Sequence, residues 1–155
     1  MRIALGADHR GFELGRQLSA MLCEAGHEVV AVGPRQAESG DDYPDRAREV
    51  CGAVLDGRAE RGMVICGSGV GACVAANKIA GIRAGMCHDT YSAHQGVEHD
   101  DMNVLCLGAL VIGSAAAGEV ARAFVGAQFT GAARHLRRLK KVEALEGKAA
   151  CGPAR

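Results

Sequence analysis

Short apolar runs alternate with amphipathic stretches along the whole chain. Residues 2–8, RIALGAD, read as a strand. Residues 11–25 then carry Phe12, Leu14, Leu18, Met21 and Leu22 at the spacing that gives a helix one apolar face, with Gly26 as its stop. HEVVAVG (27–33) predicts a second strand, GMVIC (62–66) a third, GIRAGMC (81–87) a fourth and NVLCLG (103–108) a fifth. Helices are expected from about Pro44 or Asp45, over GACVAANKI (71–79), near 89–98 and over 114–126. A strongly basic helix over about 131–146 closes the pattern. Strands alternating with helices predict an α/β fold: a doubly wound, five-stranded parallel sheet covered on both faces, in one domain over 1–148 with a disordered tail over 149–155.

In such sheets ligands bind beyond the carboxyl ends of the strands. That rule gathers Asp8, His9, the loop from Cys66 to Gly71 and the segment after Cys87 on one rim. The stretch GPRQAESGDDYP (33–44) holds two of the three prolines and reads as a long loop, of a length that is often functional.

Composition narrows the partners. The 155 residues include 18 Lys plus Arg and 18 Asp plus Glu, so no overall charge draws the chain to nucleic acid or to an acidic membrane, and any anion site must be local. The apolar runs are short and interrupted, without a signal peptide's core, so a cytoplasmic protein is expected. Seven cysteines with no C-x-x-C pair argue against a disulfide framework or a zinc ribbon. Cys51, Cys73, Cys87 and Cys106 fall inside apolar periodic segments and are expected to be packed small hydrophobes.

Candidate chemistry centres on CGSGVG (66–71). Its glycines let backbone N–H groups approach a ligand, and the helix that follows adds its positive end. The spacing G-x-G-x-G is neither the dinucleotide fingerprint nor a triphosphate loop, which leaves a tight strand-to-helix turn or a loop for some other ligand. Cys66 ends the strand where loop amides and a helix N-terminus favour a thiolate, the form that acts as a base; a packed structural cysteine is the alternative. Asp8 and His9 either contact a ligand or cap the next helix. His99 is flanked by Glu98, Asp100 and Asp101, which favour an imidazolium suited to acid catalysis, or it is a solvated loop histidine. In RHLRRLKK, Arg134 and Arg138 stand four apart on one helix face, able to clamp a phosphate or to form a solvated basic face.

Taken in order, MRIALGADHRGFELG, DDYPD, ICGSGVG followed by AANKIAGIRA, HDTYSA, EHDDMNVLCLGA and RHLRR resemble the ribose-5-phosphate isomerase B family, which includes the galactose-6-phosphate isomerase subunits. The resemblance runs from residue 1 to about 146. It implies a Rossmann-like three-layer α/β/α subunit, a homodimer or dimer of dimers with sites built between two chains, and aldose–ketose isomerisation of a sugar phosphate without metal or organic cofactor. By the same resemblance, His99 helps open the sugar ring and Cys66 is the base that moves a proton between C1 and C2. One branch of the family instead uses a glutamate directly after the glycine loop, where this chain has Ala72. Substrate contacts are implied at Asp8, His9, Tyr43, Gly67, Ser68, Gly69, Val70, Gly71 and Asp100, and phosphate contacts at Arg134 and Arg138.

Two positions depart from the family pattern. Asp100 stands where an asparagine is usual and Leu110 where an arginine is usual, which makes the pocket about two charges less positive for a dianion unless Arg137, His135 or Arg10 compensates. Ribose 5-phosphate to ribulose 5-phosphate is the default reaction; a tetrulose, hexose or branched-chain phosphate, or a non-catalytic module that holds a phosphorylated metabolite, are the alternatives.

Overall fold

The computed structural model describes residues 1–33, 36–37 and 40–146. The expected tail over 149–155, with Cys151, lies outside the described residues. Five strands, β1 (Arg2–Ala7), β2 (Glu28–Val32), β3 (Arg61–Cys66), β4 (Ala84–Met86) and β5 (Val104–Gly108), form one parallel sheet in the order β2-β1-β3-β5-β4. Among the described residues six helices alternate with them or follow: α1 (Phe12–Glu24), α2 (Tyr43–Leu55), α3 (Val70–Ala76), α4 (Thr90–Asp100), α5 (Ser114–Gly126) and α6 (Ala133–Glu146).

Side-chain alternation along the central strands explains the three layers. Ile3, Leu5, Met63, Ile65, Leu105 and Leu107 all point to one face, where they meet Leu14, Leu18 and Leu22 of α1, Val97 of α4 and Phe124 of α5. The residues between them, Ala4, Val64, Cys66, Val104 and Cys106, face the other way, onto Ala47, Val50 and Cys51 of α2 and Ala72 and Ala76 of α3. Large residues fill the first face and small ones the second. The second pair of helices therefore sits close to the sheet, and Cys66 lies beneath α3.

Three expected boundaries shift. Strand β4 covers three residues where seven were expected, because the Asn103 side chain takes the groups a longer ladder would use: Arg83 N–H donates to Asn103 Oδ1 at 2.8 Å and Asn103 Nδ2 donates to the Gly81 carbonyl at 2.9 Å. Helix α3 stops at Ala76 rather than 79, and the Asn77 side chain bonds the carbonyls of Cys73 and Ala84. Helix α4 runs on to Asp100, so His99 sits in its last turn and not in a loop. Among the described residues no helix is long and apolar enough to cross a membrane.

The order of strands fixes where a ligand can enter. From β1 the chain turns to β2 on one side, and the next strand, β3, pairs on the other side. Connections that leave in opposite directions open a crevice at the carboxyl ends of β1 and β3. Asp8 follows β1 there, and Cys66 ends β3.

Candidate active site

A hollow of about 360 Å³ occupies that crevice. Asp8, His9 and Arg10 form one wall, Cys66, Gly67 and Ser68 the floor, and Tyr43, Leu110 and Val111 the remaining sides. Cys66 is 3% exposed, and Gly69 N–H donates to its Sγ at 3.1 Å. That bond fixes the sulfur against the turn of the glycine loop.

Two glycines make this loop possible. Gly69 has φ +83° and caps α3, and a β-carbon there would stand 3.0 Å from the Leu107 carbonyl carbon and 3.2 Å from Gly108 N. Those are backbone atoms of β5, which cannot yield. At Gly71 the obstacle is the Tyr43 ring, whose carbons would lie 2.7–3.1 Å from a β-carbon. The absence of a side chain at Gly71 is what seats Tyr43 over the loop and on the hollow.

Asp8 does not cap α1, whose N-cap is Gly11 without a side-chain bond. It is 5% exposed and lines the hollow, while its Oδ1 accepts N–H groups of Arg10 and Gly11 at 2.9 Å each, shaping the turn into α1. His9 Nδ1 lies 3.3 Å from the Asp41 carbonyl. A carbonyl only accepts, so Nδ1 carries the proton and Nε2 is left as an acceptor. Asp41 is in turn paired with Arg46, Nε to Oδ1 3.1 Å, which ties the end of the 33–44 loop to the crevice. Of the segment after Cys87, His88 reaches the sheet rim, where its Nε2 accepts Gly108 N–H at 3.0 Å, but it does not line the hollow.

The other expected residues lie elsewhere in the chain. Helix α4 starts at the carboxyl end of the sheet and runs back, so His99 is near the start of β5, roughly 13 Å from the end where Cys66 lies by the rise of a strand. Neither His99 nor Arg134 nor Arg138 borders the Cys66 hollow. They form a second cluster instead. Gln95 Nε2 donates to His99 Nδ1 at 2.7 Å, which leaves the His99 proton on Nε2, and Glu98 Oε2 stands 3.9 Å from that nitrogen. The His99 ring lies against His135 with centroids 4.1 Å apart.

His135 holds this second cluster together, a role that the sequence pattern did not mark. It is 1% exposed although α6 is otherwise a surface helix. Arg134 Nε–H donates to His135 Nε2 at 2.9 Å, so the ring proton is on Nδ1 and is given to Thr130 Oγ1 at 2.8 Å, whose own hydroxyl donates to the Glu98 carbonyl at 3.1 Å. Burial, then the nearby His99, Arg134 and Arg138, holds the His135 pKa below its ordinary value, so the ring stays neutral and able to accept from Arg134.

The thiols sort by surroundings. Burial pushes Cys51 and Cys87 up to about 11. Cys73 packs against the core as expected but is only half-buried; a hydrogen bond from the Cys106 thiol, with help from Asn77, brings it down to about 6. Cys106, enclosed and donating to Cys73, is raised. A larger hollow, of about 580 Å³, lies between β4, α4 and α6 and includes Asp100. Its walls are mainly apolar, its Arg83 is already paired with Asp101 at 2.6 Å, and the thiol in its wall, Cys87, is one of the two that burial raises.

The chain is similar to known proteins over nearly its whole length. The ribose/galactose isomerase family matches residues 3–142. The ribose-5-phosphate isomerase B of Escherichia coli is 43% identical over 145 residues, covering 94% of this chain and 96% of that protein. A D-erythrulose-4-phosphate isomerase of Pectobacterium atrosepticum is 38% identical over 131 residues, 84% of this chain and 86% of its own. Among solved structures, Clostridium thermocellum ribose-5-phosphate isomerase B superposes with a TM-score of 0.92 at 41% identity, over 97% of this chain and 100% of the other. The Mycoplasma genitalium enzyme with bound ribulose-5-phosphate gives 0.88 at 34% identity, over 95% and 97%.

Proposed function

The chain belongs to the ribose/galactose isomerase family and is a sugar-phosphate isomerase, and we propose that it interconverts ribose 5-phosphate and ribulose 5-phosphate with Cys66 as the base. The observation that carries the role of Cys66 is its sulfur, at the floor of the switch-point hollow and held by the Gly69 N–H. A thiolate there removes the C2 proton of the open-chain aldose. The electrons of that C–H bond form the C1–C2 double bond of an enediolate as those of the C1 carbonyl move onto its oxygen; the C2 hydroxyl proton passes to the C1 oxygen, the C2 oxygen becomes the carbonyl, and the abstracted proton, or one exchanged with solvent, is added to C1. Both electrons stay within the substrate, so the scheme calls for neither metal nor organic cofactor. Backbone N–H groups of the 67–71 loop stabilise the enediolate oxygens, and the free Nε2 of His9 accepts from a sugar hydroxyl.

Ring opening needs an acid, and His99, with its proton on Nε2, is the group of that kind, as the family resemblance implies. Its distance from Cys66 in one chain leads us to assign His99, Arg134 and Arg138 to the site of a second copy, in a cytoplasmic homodimer or dimer of dimers. In that arrangement the two arginines anchor the phosphate away from the reacting carbons, so that its binding energy orients C1 and C2. The test is turnover of ribose 5-phosphate in chelator, with proton exchange at C2 followed in deuterated water. Wild-type turnover that persists in Cys66→Ala would remove Cys66 from its role. The likeness to a D-erythrulose-4-phosphate isomerase makes a tetrulose phosphate the second substrate to assay.

A further inference from the structure

The Cys66 hollow has two unlike flanks, set on either side of Gly67. A β-carbon at Gly67 would stand 3.1 Å from Arg10 Cδ on one side and 3.7 Å from Leu110 Cδ1 on the other. The Arg10 stem is thus laid along a residue with no side chain. Arg10 lines the hollow beside the thiol loop.

Among the described residues, Arg10 is also the only side chain with a permanent positive charge that lines this hollow. Leu110 and Val111 bring none, and the one carboxylate, Asp8, already accepts two N–H groups through Oδ1. Among the described residues, Arg10 enters bonding through its backbone N–H, and its guanidinium has no ion pair. Other arginines of comparable exposure are engaged: Arg16 with Glu13 at 2.8 Å and Arg48 with Asp45 at 3.2 Å. A guanidinium presents up to five donors in a planar fork suited to phosphate oxygens.

We propose that Arg10 is a phosphate-binding residue of the isomerase site, given by the same subunit as Cys66, so that the substrate dianion is gripped from the Arg10 flank of Gly67 and not from the apolar Leu110 flank. The inference rests on the sugar-phosphate reading above. A phosphate carries up to two charges and several acceptor oxygens, enough for Arg10 to bind alongside arginines of a second copy.

The experiment pairs kinetics on ribose 5-phosphate with calorimetric binding of inorganic phosphate, in wild type, Arg10→Ala, Arg10→Lys, Arg10→Ala with Leu110→Arg, and Arg16→Ala as a charge-matched control on α1. For Arg10→Ala, KM and the phosphate Kd should rise together by roughly ten- to a hundredfold, as expected for a lost charge-assisted contact, with the loss falling on KM more than on kcat. Lysine should recover part of it, Leu110→Arg should recover part from the opposite flank, and Arg16→Ala should match wild type. Unchanged KM and phosphate Kd in Arg10→Ala, with wild type turning over, would overturn the proposal while leaving the isomerase reading intact. So would a raised KM with unchanged phosphate Kd, because Arg10 would then act on something other than the phosphate. Absence of turnover by wild type on four- to six-carbon sugar phosphates would instead sink the isomerase reading, and with it the assignment of Arg10 to an isomerase site.

Discussion

Two alanine substitutions only two residues apart should have opposite signatures. At Gly69 the residue must adopt φ +83°, which costs an L-residue about 1–2 kcal/mol. Its new methyl would also press on the backbone of β5 at 3.0 and 3.2 Å, and overpacking against atoms that cannot move adds about 1–3 kcal/mol. The sum, about 2–5 kcal/mol, is a large share of the roughly 5–15 kcal/mol that holds a domain folded. For a chain of this size it lowers Tm by on the order of 5–20 °C. At Gly67 the one tight contact of the new methyl is Arg10 Cδ, at 3.1 Å, on an exposed and flexible side chain that can swing aside, while Leu110 Cδ1 at 3.7 Å is at ordinary contact distance. Stability there should stay within about 1 kcal/mol of wild type. Thermal and urea unfolding followed by circular dichroism separate the two. Kinetics should separate them again, since Gly69→Ala displaces the N–H that holds Cys66 Sγ and so lowers kcat, whereas Gly67→Ala leaves that bond in place. A Gly69→Ala protein that melts with wild type, or a Gly67→Ala protein that loses as much as Gly69→Ala, would refute the close-approach argument.

His135 supplies a pH signature. Its pKa is lowered by folding, so as pH falls below about 6.5 the unfolded chain takes up a proton that the folded one refuses, and stability drops; above that range the contribution is constant. Wild-type Tm should therefore fall more steeply than that of His135→Gln between pH 7 and pH 5, and parallel curves would contradict the assignment. Alkylation with iodoacetamide at pH 7, read by peptide mass spectrometry, should modify Cys73 well before Cys51 and Cys87, whose thiols burial keeps protonated. Equal rates at the three would show that surroundings do not sort them. Replacing Tyr43 with alanine should free the space over Gly71 and raise KM for the sugar phosphate, with little change in melting because Tyr43 is 41% exposed; an unchanged KM would take the ring out of the site.

Strand alternation and helix spacing made the layers legible, because each strand carries two apolar faces that differ in size and each helix one apolar stripe. The ends of elements were less legible where a side chain stands in for backbone. Asn103 shortens β4 and Asn77 closes off α3, and nothing in the local hydropathy announces either substitution. The crevice half of the site could be placed from strand ends alone, since the carboxyl end of a parallel strand is a position fixed by topology. Arg10 was weaker in the sequence than in space, being a lone arginine in ADHRGF, and only the nearness of its stem to Gly67 gives it a place. His135 was harder still. A histidine inside the basic run RHLRR looks solvated, and its burial depends on Thr130 and His99, which come from other parts of the chain.

The central claim is that the thiol of one copy works with the imidazole of another. Cys66→Ala and His99→Ala, each inactive alone, are mixed in equal amounts under conditions that exchange subunits, and ribose 5-phosphate turnover is then measured. Random pairing makes half the dimers mixed, and each mixed dimer holds one intact site of two, so activity should return to about a quarter of the wild-type value per subunit. Activity that stays at zero, with exchange confirmed by mass, would contradict the account.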